Sequence, residues 1–139
     1  MNECFADTGY WWAISKADDS LYVAAKAIGK EIRRTHRMVT TDAILFEWLN
    51  ALARFGPTAR SRAATLLREV RESPAIVIVG VTSSLFDQAL RLYERSSDKA
   101  WSLTDCLSFV VMHERKIKDA LTYDHHFEQA GFRALLRPQ

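Results

Sequence analysis

The chain has 139 residues, 48% of them apolar and 26% charged, with a formal net charge of +2. That length holds one domain with a real core, and the composition excludes an intrinsically disordered chain. The charge is too small to argue for nucleic-acid binding by itself, and no apolar run approaches the ~18–20 residues of a membrane span.

The opening MNECFADTGYWW lacks a basic segment followed by a long apolar stretch, so it does not read as a secretory signal. A cytoplasmic location is the expectation. Cys4 to Ala6 forms a short apolar run that ends at Asp7. Residues 9–16 read as a short helix. Asp18 and Asp19 precede a longer one, in which Leu21, Ala24, Ala25, Ile28 and Ile32 recur at helical spacing. Met38 to Thr40 is a second strand. TDAILFEWLNALARFG is a helix started by Thr41 or Asp42 and stopped by Gly56 and Pro57. A further helix, rich in Arg and Ala, covers Thr58 to Glu72. Residues 75–82, AIVIVGVT, are β-branched nearly throughout, which predicts a strand buried on both faces. Helices follow over 84–95 and 102–116. Ala120 to Thr122 is a fourth strand, Asp124 to Ala130 a short helix, and Phe132 to Leu136 a last strand. Cys4 and Cys106 both fall in apolar runs, where buried free thiols are expected rather than a disulfide.

Strands that alternate with helices predict an α/β domain with a mainly parallel sheet flanked by helices. Right-handed crossovers put helices on both faces, and ligands then bind beyond the carboxyl ends of the strands. Asp7 and Asp124 each end a strand and fall at that rim. Asp105 opens a helix, and Glu47 lies in the apolar helical stretch AILFEWL. Each has a plain alternative. Asp7 and Asp124 could cap the helices that follow them, and Ser102-Leu-Thr-Asp105 matches a capping box. Glu47, expected to be largely buried, could pair with Arg54. Converging carboxylates would repel one another, and a hard divalent cation such as Mg²⁺ or Mn²⁺ removes that repulsion. One or two such ions suit phosphodiester cleavage by activated water, and no motif for a protein nucleophile is present.

Four segments in this order, FADTGYWWAI, VTTDAILFEWLNAL, SLTDCLSFVVMHE and LTYDHHFEQAGF, resemble the PIN-domain family over nearly the whole chain. The match is best to VapC-type toxins, the ribonuclease halves of bacterial toxin–antitoxin pairs. The resemblance implies one PIN-like nuclease domain over residues 1–139. It implies an acidic quartet, Asp7, Glu47, Asp105 and Asp124, that holds Mg²⁺ or Mn²⁺ and cleaves RNA. It also implies supporting roles for Thr8 and Asp98, a small antitoxin that blocks the site, and a homodimer. Gly9 departs from the family, in which Ser is common at that position. A catalytically silent interaction or RNA-binding module on the same fold is the alternative. A receiver-like module would need an Asp after AIVIVGV, and a haloacid-dehalogenase-like phosphatase would need Asp at position 9; both are missing.

His125 and His126 are expected to face solvent in the short helix, and His36 and His113 to lie at the surface. Imidazole favours softer metals than the oxygen set suggests. Tyr10, Trp11 and Trp12 could stack RNA bases, although packing is the stronger expectation. Arg33, Arg34 and Arg37 cluster, as do Arg54, Arg60, Arg62, Arg68 and Arg71. They are compatible with phosphate contacts but read first as solvated helix faces.

Overall fold

The computed structural model describes residues 2–138. Five strands form one sheet in the order β3-β2-β1-β4-β5, every neighbouring pair parallel. The strands are β1 (Asn2–Ala6), β2 (His36–Thr41), β3 (Ile76–Val79), β4 (Asp119–Leu121) and β5 (Arg133–Ala134). Two helices, α1 (Thr8–Ser15) and α2 (Tyr22–Arg33), join β1 to β2, and α3 (Asp42–Leu52) with α4 (Gly56–Glu72) joins β2 to β3. The crossover from β3 to β4 carries α5 (Ser83–Arg95) and α6 (Leu103–Arg115), and α7 (His125–Gln129) leads to β5.

The chain starts at the centre of the sheet, builds outward through β2 and β3, then returns to add β4 on the other side of β1. The order reverses between β1 and β4, and a ligand crevice belongs at such a reversal, beyond the carboxyl ends of the strands. Register fixes those ends together: Phe5 lies opposite Val39 and Ala120, and Ala6 opposite Leu121. Thr40 Oγ1 donates to the Ala6 carbonyl at 2.9 Å, tying the last residue of β1 to β2.

A closely packed core lies beneath the rim. Phe5, Met38, Val39, Ile44, Trp48, Phe109, Met112, Leu121 and Phe127 are almost fully buried. Trp11 stacks on Trp48 with centroids 5.5 Å apart, and Phe109 meets Phe127 edge-on at 4.9 Å. Such aromatic pairs add about 0.5–1.5 kcal/mol beyond their buried area. At the opposite end of the sheet, Glu3 of β1 accepts from Arg115 of α6 through both carboxylate oxygens and from Arg37 of β2, all at 2.9 Å. Those guanidinium partners hold its carboxyl below the usual glutamate range.

Predicted and observed boundaries differ in instructive places. The third strand is shorter than 75–82 and half-buried throughout, not buried on both faces. It lies at the sheet edge, where only one side has a neighbouring strand. The last strand shrinks from Phe132–Leu136 to Arg133–Ala134 for the same reason, since only β4 is there to pair with. Gly56 does end one helix, but it opens the next directly: α3 runs through a single 3₁₀ turn, Ala53–Phe55, and the chain turns at Gly56 with φ +91°. Cys4 and Cys106 are buried free thiols, as expected. Among the described residues, no helix is long and apolar enough to cross a membrane.

Candidate metal centre

Asp7 follows β1 directly with extended backbone, φ −88° and ψ 168°, at the N-cap position of α1. Its side chain makes no capping bond to that helix. Instead Oδ2 accepts from Thr122 Oγ1 at 2.7 Å, across the reversal point from just beyond β4. The same Thr122 hydroxyl accepts the Asp124 backbone N–H at 3.0 Å. One fully buried hydroxyl therefore links the acids that follow the two central strands.

For Asp124 and Asp105 the choice between cap and site residue dissolves, because each cap uses only one carboxylate oxygen. Asp124 caps α7: its Oδ1 accepts the His126 N–H at 2.8 Å. Asp105 completes the predicted capping box, accepting the Ser102 N–H through Oδ2 at 3.0 Å while Ser102 Oγ accepts the Asp105 N–H. Among the described residues, Oδ1 of Asp105 and Oδ2 of Asp124 take no protein hydrogen bond.

Glu47 differs from expectation. It is exposed on α3 and does not pair with Arg54. The apolar neighbours Ile44, Leu45 and Trp48 face the core, whereas Phe46 and Glu47 project from the other side of the helix. Oε1 of Glu47 accepts from Thr8 Oγ1 at 2.6 Å, so Thr8 sits between the first acid and the second.

Burial raises the Asp7 carboxyl from 3.8 to about 6, with the Asp105 and Glu47 charges adding to the rise. Hydrogen bonds from Thr122 and from the Thr8 backbone act in the opposite direction. That like-charge influence marks Asp105 and Glu47 as neighbours of Asp7. Intervening side chains link the acids in part: Thr8 bonds Glu47, and the His126 ring lies against both Asp105 and Asp124. Among the described residues, Asp124, His125 and His126 form a group of possible metal ligands whose candidate atoms all lie within 4.8 Å of one another.

His126 also departs from expectation. His125 faces solvent, its side chain 57% exposed, but the His126 side chain is only 17% exposed. Its Nδ1 lies 3.0 Å from Asp105 Oδ2 and 3.3 Å from Asp124 Oδ1. Thr122 and His126 both lie outside the acidic set expected from the sequence. Thr122 carried a signal, as the threonine two residues before a strand-end aspartate. His126 did not, because its contact with α6 is a tertiary one.

The chain is similar to known proteins over nearly its whole length. Residues 4–133 match the PIN domain. The chain belongs to the PIN-domain family. The 23S rRNA-specific endonuclease VapC20 of Mycobacterium tuberculosis, from two strains, is 30% identical over 128 residues, 92% of this chain and 94% of the relative. A crystal structure of Mycobacterium tuberculosis VapC20, described as a sarcin–ricin loop cleaving toxin, has a TM-score of 0.81 at 27% identity. It covers 94% of this chain and 96% of that one.

Other predicted positions of this PIN domain lie apart from the four acids or in the core. Asp98 is exposed and pairs with Lys99 at 2.6 Å, so the structure does not join it to the four acids. Tyr10 and Trp11 are core residues, 1% and 2% exposed, and are closed to base stacking. Trp12 is half-buried against Phe55, with Lys16 over both rings. Both arginine clusters are exposed on the surface. The departure at Gly9 has a local setting: a Cβ there would lie 3.2 Å from Cδ2 of Tyr123, between Thr122 and Asp124.

Proposed function

We propose that this PIN domain is a Mg²⁺- or Mn²⁺-dependent endoribonuclease, the toxin of a VapBC-type pair, and that Asp7, Glu47, Asp105 and Asp124 are its catalytic and metal-binding acids. One observation carries the reading. Each of the four carboxylates is fixed through one oxygen by a donor on the chain: Thr122 for Asp7, Thr8 for Glu47, Ser102 and His126 for Asp105, and the His126 N–H for Asp124. Ligands held in this way keep their orientation, as metal sites require.

The donor set fits a hard divalent cation. It is rich in carboxylate oxygen, and Asp7 is held where its charged form is disfavoured by burial and by two other acids. A cation there favours the ionised form. When bound, such an ion lowers the pKa of water and offsets charge on the phosphate. The chain's own residues hold the acids in register. Thr122 keeps an Asp7 oxygen and the Asp124 backbone on one hydroxyl, and Thr8 holds Glu47 at the rim. The exposure of Glu47 places that carboxylate where a phosphate backbone or its solvent water can reach it.

VapC20 is named for an activity on 23S rRNA, so a stem–loop of ribosomal RNA is the first substrate to offer, beside tRNA. The purified protein is incubated with these RNAs in Mg²⁺ or Mn²⁺, in EDTA, and alongside Asp7→Asn purified identically. Cleavage that needs metal and disappears in the variant is the expected result. Equal behaviour of both proteins in every condition would favour the silent binding module. The proposed partners are a small antitoxin and a second copy of this chain, acting in the cytoplasm. Phe46, Phe86, Leu90 and Tyr93, 40–71% exposed, offer apolar surface for the second copy. Light scattering of the free protein tests the dimer.

A further inference from the structure

We infer that His126 is a positioning residue that braces Asp105 against Asp124, fixing the separation of two carboxylates that belong to different elements. The inference rests on the metal-centre reading above. Asp105 belongs to the first turn of α6 and Asp124 to the turn after β4, and no backbone ladder joins those two segments. The His126 ring spans the gap, with Nδ1 at 3.0 Å from one carboxylate oxygen and 3.3 Å from the other.

Chemistry decides which way the ring acts. A bare lone pair on Nδ1 beside two carboxylate oxygens would be repulsive, so Nδ1 carries a proton, which it donates to Asp105 Oδ2 while Asp124 Oδ1 stays in electrostatic contact. The oxygens it engages are the ones already used by the caps: Asp105 Oδ2, which also accepts the Ser102 N–H, and Asp124 Oδ1, which also accepts the His126 N–H. The brace therefore adds to existing bonds and leaves Asp105 Oδ1 and Asp124 Oδ2 for a ligand. The ring also contacts the His125 ring, with centroids 4.5 Å apart, and is largely shielded from solvent. A group that orients ligands without binding the ion typically contributes 10–100-fold in metal affinity.

The test reads metal binding with no RNA present. Free Mn²⁺ is followed by EPR as it titrates the full-length protein, for wild type and for His126→Ala, His126→Asn and His126→Gln. Asparagine places its amide nitrogen close to the position of Nδ1, whereas glutamine extends one methylene too far. The expected order is wild type and His126→Asn within roughly fivefold of each other, with His126→Ala and His126→Gln weaker by roughly 10–100-fold. Thermal melts in EDTA identify any variant that has lost the fold, and the Asn–Gln pair still decides if Ala fails to fold. His126→Gln binding Mn²⁺ like wild type would overturn the brace. His126→Asn as weak as His126→Gln would overturn it too, and would make the ring itself a ligand. A wild-type protein that binds no Mn²⁺ would overturn the metal-centre reading first, and the brace with it.

Discussion

Two side chains repay attention at the scale of single residues. Asp7 has a carboxyl raised to about 6 from 3.8. The fold thus favours its neutral form. That contribution to stability is complete below pH 3.8 and is lost as pH rises through about 6. The shift corresponds to about 3 kcal/mol as an upper figure. In EDTA, the stability of wild type relative to Asp7→Asn should therefore fall by up to that amount between about pH 4 and pH 7. Urea melts across the range measure it, and a difference that stays flat with pH would remove the strained carboxylate from the account. Thr122 works through hydrogen bonds alone. Thr122→Val keeps the volume but strips the donor from Asp7 and the acceptor from the Asp124 N–H. A stability loss of about 1–3 kcal/mol is expected, together with a drop in RNA cleavage of roughly 10–100-fold. Cleavage at the wild-type rate would show that the two acids keep their places without it.

Among the elements, the contact between α1 and α2 has the narrowest tolerance. Gly29 of α2 leaves room for the buried ring of Tyr10 on α1, and a Cβ there would come within 2.8 Å of Cε1 and 2.9 Å of Cζ. Gly29→Ala should therefore destabilise by roughly 1–3 kcal/mol despite alanine's better helix propensity. A melt at or above the wild-type temperature would refute the close packing. α3 shows what the sequence could and could not tell. The apolar run AILFEWL suggested burial of Glu47, yet helical period alone sets Ile44, Leu45 and Trp48 on one side and Phe46 and Glu47 on the other. The 3.6-residue repeat, not the apolar run, decides which of these side chains are buried. The edge strand β3 misled in a similar way, because its β-branched residues looked like those of a central strand.

For the whole molecule, the alternation of strands and helices was legible, and with it the parallel sheet and the rim where Asp7 and Asp124 fall. Both are local patterns repeated along the chain. Legibility ended where function depends on segments meeting in space. The capping box at Ser102 could be read from four consecutive residues, but its approach to His126 could not. Nor could the bond from Thr8 to Glu47, 39 positions away. A cation bound by the folded chain and not by the unfolded one stabilises by about 2.7 kcal/mol at a hundredfold its Kd. Mg²⁺ or Mn²⁺ should accordingly raise the melting temperature at neutral pH, and do so little in Asp7→Asn; calorimetry with and without EDTA reads the difference.

The pairing of β4 beside β1 joins residues 115 positions apart, as the bond from Thr122 to Asp7 records. Contacts of that span form late, since the entropy of closing so long a loop must be met before they give anything back. Until β4 docks, Asp7 lacks its hydroxyl partner, Thr122. A molecule without that pairing therefore lacks the link between Asp7 and the Asp124 segment. For the proposed centre this amounts to a built-in delay: its last pieces come together with completion of the fold rather than growing along with it.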